Sequence, residues 1–335
     1  MDLSMAWAGI LVLAVFIYVV LDGFDLGVGM LFAFYPEKND RDLLMNSVAP
    51  VWDGNETWLV LGGGGLFAAF PMAYGIYMTA LYVPIIAMLL ALVFRGVAFE
   101  YRWRTSRWKR WWDLAFIVGS FVASFAQGIA LGAVLQGIEV DGRAYGGGWY
   151  DWLTPFSLLT GAAVVIAYTL LGACWLILKT DGDVQVRARS IARRCAAVTL
   201  LMIALVSAAT PFLEIAYFER WLSTPAIYYL APIPMAVVCL GVFLFRALKD
   251  EDSRSDLGPF LLTLGLFALC FVGLCVSMWP YIIPTSVTLA EAAAPHSSQM
   301  FMLVGALILL PIIIGYTGYA YWVFRGKLDP EKGYH

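Results

Sequence analysis

Charge is what this sequence has least of. Only 13% of its 335 residues are Asp, Glu, Lys or Arg, and 61% are hydrophobic, whereas about a quarter of a soluble domain is charged. That balance excludes a water-soluble globular fold, and length-based counting of soluble domains does not apply. Histidine is nearly absent: His296 and His335 are the only two, and neither falls inside an apolar run. A membrane heme commonly takes a histidine axial ligand, so this chain is expected to hold no heme by itself. The five cysteines, Cys174, Cys195, Cys239, Cys270 and Cys275, lie in or at the edge of apolar runs with no CxxC pair. They read as small apolar core residues. No Cys/His/carboxylate cluster suits zinc, iron–sulfur or copper, so no metal or cofactor is expected on this chain alone.

Other absences concern organisation. The start, M-D-L-S-M-A-W, has no basic segment, and the first apolar run is too long for a signal peptide, so it reads as an uncleaved membrane helix. No connection exceeds about 20 residues, which leaves no room for a soluble domain and implies tightly joined antiparallel helices. No strong internal repeat is visible, although two sets of four spans leave room for weak symmetry between halves.

What is present is a series of nine apolar stretches, each close to the roughly 20 residues that cross a bilayer. They run over 7–34, 50–70, 76–101, 112–136, 154–178, 192–214, 225–247, 257–282 and 300–325. A short interfacial helix over 36–49 is a further option. The expected fold is therefore an all-α polytopic membrane protein, one integral domain over 1–335. Of the 21 Lys and Arg, all but Arg95, Arg143 and Arg220 fall in alternate connections and at the C-terminus. Examples are R-W-R-T-S-R-W-K-R at 102–110 and R-A-R-S-I-A-R-R at 187–194. Basic loops stay in the cytoplasm, which places the N-terminus outside, in the periplasm, and the C-terminus inside. An odd number of spans agrees with this. Many of the 13 Trp sit at span ends, as an aromatic belt would have them.

The exceptions inside the apolar runs carry the functional signal. The first span contains V-V-L-D-G-F-D-L-G with Asp22 and Asp25; the second contains P-V-W-D-G-N-E-T-W with Asp53 and Glu56. Each pair is three residues apart and shares a helix face. An ionisable group at membrane depth costs about 2.5–3.5 kcal/mol on insertion scales. At about 1.5 Å per residue the two pairs reach matching levels in the inner half of the bilayer, Asp25 level with Asp53 and Asp22 level with Glu56, with Arg95 returning to a similar depth. Two readings stand: a proton or cation path from the cytoplasm, or a packed polar network neutralised by Arg95. Glu100 and Glu214 read as groups at the membrane edge. Gly62 to Gly65 would permit close helix approach, and no Lys-Ser/Thr follows to make a phosphate cradle. The sequon at Asn55 reads as chance.

The blocks D-G-F-D-L-G-V-G at 22–29 and N-S-V-A-P-V-W-D-G-N-E-T-W-L-V at 46–60 resemble subunit II of the cytochrome bd quinol oxidase family, which includes cyanide-insensitive oxidases. The likeness continues through F-A-A-F-P-M-A-Y at 67–74, F-R-G-V-A-F-E-Y-R at 94–102 and L-L-G-A-C-W-L-I-L-K-T-D-G at 170–182, and so covers essentially the whole chain. The resemblance implies a complex in the bacterial inner membrane that oxidises quinol and reduces dioxygen to water. It implies two hemes b and one heme d in a partner subunit I, a heme-free subunit II with two four-helix bundles plus one helix, and a small single-span subunit beside them. A structurally bound quinone or lipid is compatible with it; no nucleic-acid partner is expected. In the family, subunit II is thought to help cytoplasmic proton uptake, and Asp25 and Asp53 match the acidic positions of that path. Asp22, Glu56 and Arg95 lie in the same blocks, and Trp52 and Trp58 would frame the path by packing. Two alternatives remain beside this: an ion-coupled secondary transporter, marked by an unwound helix at the glycine run, and a purely structural subunit with inert acids.

Overall fold

The computed structural model describes residues 3–105, 107–249 and 256–329. Met1, Asp2, Ser106, Arg254, Lys332 and His335, which entered the reading of the sequence, lie outside the described residues. The chain is helical almost throughout. In order come α1 (Leu3–Leu31), α2 (Lys38–Val48), α3 (Trp52–Ala69), α4 (Pro71–Ala80), α5 (Tyr82–Arg104), α6 (Lys109–Leu135) and α7 (Pro155–Lys179). They are followed by α8 (Gly182–Ala209), α9 (Ile215–Leu222), α10 (Ala226–Leu230), α11 (Pro232–Lys249), α12 (Leu257–Met278), α13 (Leu289–Ala292) and α14 (His296–Val323). Two antiparallel two-residue ladders, β1 (Val140–Asp141) with β2 (Ala144–Tyr145) and β3 (Tyr281–Ile283) with β4 (Val287–Thr288), close loops at the end away from the basic residues.

Among the described residues, eight helical segments are long and apolar enough to cross a membrane. They correspond to eight of the nine expected stretches. The second expected span becomes α3, whose 18 residues carry Asp53, Glu56 and the four glycines, and it falls outside that set. Its end is set by Pro71, which has no N–H to donate and disfavours helical geometry in the residue before it. Phe70 accordingly leaves the helix at φ −135° and ψ 63°, and the chain restarts as α4. The expected 76–101 span thus divides, with α5 proper at Tyr82–Arg104. The optional helix over 36–49 is present as α2. α8 starts at Gly182, ten residues before the expected span, because its polar first turns remain helical outside the apolar run. α7 begins with a reciprocal capping box between Thr154 and Ser157 and proline at its first position.

α1 is the hub. It packs against α3, α6 and α7, while α5 lies along α6, α6 along α7, and α7 along α8 and α12. The α1–α7 crossing needs glycine on both sides: a Cβ on Gly27 would lie 1.9 Å from the Tyr168 carbonyl oxygen, and one on Gly172 would lie 2.5 Å from the Gly27 carbonyl carbon. Nearby, Phe24 stacks on Trp175 with ring centres 4.2 Å apart, and Phe260 and Tyr321 close the cluster edge-on. α14 is the loosest span. It touches α1 and α3, buries only Gln299 among its residues, and is apolar on the sides it leaves open.

Polar clamps fix the end of the molecule that carries the basic residues. Arg102, fully buried, bonds Asp113 at 2.5 Å and Asp42 at 2.6 Å, and Arg41 reaches Asp113 at 3.0 Å, so α2 is tied to α5 and α6. At the foot of α14 two lysines exchange places. Lys179 donates to the carbonyls of Phe324 and Gly326, while Lys327 donates to those of Ile177 and Thr180 and pairs with Asp256 at 2.7 Å. Asp256 also meets Arg189 at 2.5 Å. Partial burial pushes the Asp256 carboxyl up, but its bonds to Lys327 and the charge of Arg189 outweigh that and hold it below the ordinary carboxylate value.

Candidate functional site

The acids of α1 sit where α1, α3 and α5 meet. Asp22, Asp25 and Arg95 are each 0% exposed. Arg95 Nη1 donates to Asp22 Oδ1 at 2.7 Å, and Nη2 lies 3.7 Å from Asp25 Oδ2. Arg95 is thus hydrogen-bonded to Asp22 and only in longer-range ionic contact with Asp25. The i, i+3 spacing on α1 makes this possible by turning both carboxylates to one side.

Glu56 is half-buried on α3 and shares the electrostatic field of Arg95, Asp22 and Asp53. Two carboxylates, those of Asp22 and Asp25, contact the one guanidinium. Full ionisation would leave a net negative charge away from bulk water, so the site attracts protons or hydrated cations. Asp25 Oδ1 and Arg95 Nε make no hydrogen bond among the described residues, and buried polar atoms in that state are ordinarily met by water.

Asp53 falls elsewhere. It is the second residue of α3 and is exposed, on a stripe with Thr57, Val60, Gly64 and Phe67 that turns away from the rest of the chain. The residue α3 presents to Asp25 is Asn55, whose Nδ2 donates to Asp25 Oδ2 at 2.7 Å, and Asn55 Oδ1 accepts from the Tyr321 hydroxyl at 2.8 Å. The physical reason is rotation. A 3.6-residue helix places Asn55 about 200° from Asp53, so α3 cannot turn both inward. Glu100 is exposed and pairs with Arg104 at 3.6 Å, and Glu214 immediately precedes α9 at the opposite end.

A second polar chain leaves Asp22 in the other direction. Tyr168 donates to Gln127 Oε1 at 2.9 Å and Gln127 donates to the Tyr18 hydroxyl at 2.7 Å, with Tyr18 one helical turn before Asp22 on α1. These groups and the Asn55–Tyr321 pair are absent from the reading of the sequence. The available signal was a lone amide inside an apolar run, since side-chain amides in membrane helices commonly bond across to a neighbour.

Trp52 stacks on Phe99 with centres 4.7 Å apart and lies over Gly96, while Trp58 is buried in a small cluster with Ala14 and Tyr18. Of the glycine run, a Cβ on Gly65 would meet Leu11 at 2.7 Å and one on Gly62 would meet Val15 at 3.5 Å, but Gly63 and Gly64 face open space. α3 stays helical through all four, so the unwound segment expected of a carrier is not seen.

Of the two histidines, His296 is exposed at the first turn of α14 and His335 lies outside the described residues. An apolar groove of about 460 Å³ lies between α5 and α6, lined by Leu90, Phe94, Trp111, Leu114 and Val118 among others.

A many-spanned helical membrane protein with a buried acid–arginine site at the junction of its first spans is the class that fold and site define. The model of the family "Cytochrome bd terminal oxidase subunit II" matches residues 3–324, and the chain belongs to that family. It is similar to cytochrome bd-I ubiquinol oxidase subunit 2 of Escherichia coli K12, with 33% identity over 94% of this chain and 92% of that one. Cytochrome bd ubiquinol oxidase subunit 2 of Bacillus subtilis is 31% identical over 96% of each chain. Among solved structures, a chain of the bd oxidase from Geobacillus thermodenitrificans shares the fold, with a TM-score of 0.81 over 97% of this chain and 99% of that one at 19% identity.

Proposed function

We propose that this chain is the heme-free subunit of a bacterial inner-membrane quinol:oxygen oxidoreductase. In this reading it stabilises the heme-bearing subunit I and supplies part of the path by which cytoplasmic protons reach the site of dioxygen reduction. Two hemes b and one heme d then belong to subunit I, and a small single-span subunit completes the assembly. The proposal includes one membrane domain over 1–335, nine spans as two four-helix bundles plus α14, an outer N-terminus and a cytoplasmic C-terminus. α3 crosses as the ninth span with its acid-bearing start at the cytoplasmic side.

The observation that carries the proton path is the buried Asp22–Arg95–Asp25 site, two carboxyls to one guanidinium, with Asp53 exposed at the start of α3. Asp53 serves as the outermost acid, on the face left for subunit I. Glu56 and Asp25 continue inward, and Asp22 serves as the fixed counter-charge of Arg95. Quinol oxidation that releases protons outside, coupled to oxygen reduction that draws them from inside, builds a proton-motive force without a pump and needs such a route.

The test is purification through a tag on this chain. The expected result is a coloured complex with heme b and heme d bands and quinol-dependent oxygen uptake, which slows in Asp25→Asn and Asp53→Asn while the hemes remain. Full turnover in both variants would refute the path, and a colourless, single-chain preparation would refute the assembly.

A further inference from the structure

We propose that Tyr321 and Asn55 form a positioning pair that fixes the Asp25 carboxylate and leaves its Oδ1 as the atom that accepts the proton. This rests on the reading of Asp25 as a relay group. The geometry specifies the pair from both sides. Asn55 is 1% exposed, and its amide has one donor end and one acceptor end. The carboxylate of Asp25 and the Leu21 carbonyl accept, so the NH₂ group must face them, and it does, at 2.7 and 3.4 Å. The phenol of Tyr321 donates to the other end at 2.8 Å. A flipped amide would set its oxygen against two acceptors and its NH₂ against a donor. The Tyr321 ring is held edge-on to Phe24 and Trp175, with centres 6.3 and 6.1 Å away, so the hydroxyl has one direction in which to point.

The consequence lies in the two carboxylate oxygens. Oδ2 receives the Asn55 amide and faces Arg95 Nη2, while Oδ1 makes no hydrogen bond among the described residues. A proton arriving from water therefore adds to Oδ1 and leaves from it, while Oδ2 remains the carbonyl oxygen held by Asn55. The Tyr321 hydroxyl also gives α14, which buries little else, a direct polar link to the acid site.

The test uses the complete oxidase complex in liposomes. Tyr321→Phe keeps the ring and removes the hydroxyl; Asn55→Leu removes the amide and leaves α14 untouched. The readouts are proton uptake after an oxygen pulse and the infrared difference band of the protonated carboxyl, assigned to Asp25 by its loss in Asp25→Asn. Expected are unchanged hemes, uptake slowed about tenfold or more in Asn55→Leu, the worth of one hydrogen bond to a charged group, with the Asp25 band at higher wavenumber as its C=O loses a donor, and smaller changes of the same sign in Tyr321→Phe. If band and rate stay put in both variants while Asp25→Asn abolishes uptake, the positioning role is wrong and the relay stands. If Asp25→Asn leaves uptake intact, the relay reading fails and takes this inference with it. Loss of the hemes in Tyr321→Phe alone passes the decision to Asn55→Leu; loss in both makes the pair purely structural and overturns the proposal.

Discussion

Replacing Asp22 and Asp25 by asparagine, one at a time, separates two carboxylates that lie three residues apart and differ in their bond to Arg95. At an effective dielectric of about 20, unit charges at 2.7 Å, the Arg95–Asp22 distance, interact by roughly 6 kcal/mol; at 3.7 Å, the Arg95–Asp25 distance, by roughly 4.5 kcal/mol. Desolvation cancels much of both, and removing one partner of a buried pair costs about 3–5 kcal/mol. Asp22→Asn leaves Arg95 with no carboxylate at hydrogen-bond distance and is expected to cost that full amount. Asp25→Asn keeps the Arg95–Asp22 bond and an oxygen for Asn55 to bond, and is expected to cost about 1–2 kcal/mol. The assay is thermal loss of heme absorbance from the purified complex, with Asp22→Asn clearly the less stable. Equal losses in the two single variants, or a neutral Asp22→Asn, would refute this division of roles.

Arg102→Leu leaves Asp113 to Arg41 and Asp42 to Lys109 and should cost about 1.5–3 kcal/mol for the lost charged hydrogen bonds, read as faster proteolysis in α2 and a lower melting temperature. Gly27→Ala should prevent folding, since its Cβ falls on a backbone oxygen, whereas Gly63→Ala meets open space and should leave the subunit folded; expression and heme recovery distinguish them. Asp256 has a depressed folded value, so its contribution is present above the unfolded carboxylate value of about 3.9 and is lost as pH falls through the folded one. Below about pH 4 the C-terminal segment should therefore become accessible to proteases, and Asp256→Asn should show that accessibility already at neutral pH.

The spans and the acids were legible in the sequence because hydropathy marks the former and its violations mark the latter. Asp22, Asp25 and Arg95 stand out against apolar neighbours and do come together. The rest was hidden for physical reasons. Periodicity gives the relative angle of residues on α3 but not which side faces inward, so it could not tell that Asn55, and not Asp53, turns to Asp25. Tyr321 is 266 positions from Asn55, and no local pattern links residues that far apart. Tyr18, Gln127 and Tyr168 are mildly polar and cost a membrane helix little, so they leave no mark on hydropathy. The break at Phe70 was signalled by Pro71 and masked by the apolar run that continues across it.

The most direct test of the account is proton uptake from the cytoplasmic side by the Asp25→Asn complex, measured after an oxygen pulse with the heme spectrum recorded on the same sample. Intact hemes with uptake slowed at least tenfold is the result expected of a delivery route through this chain. Intact hemes with uptake at the parental rate would place that route outside it.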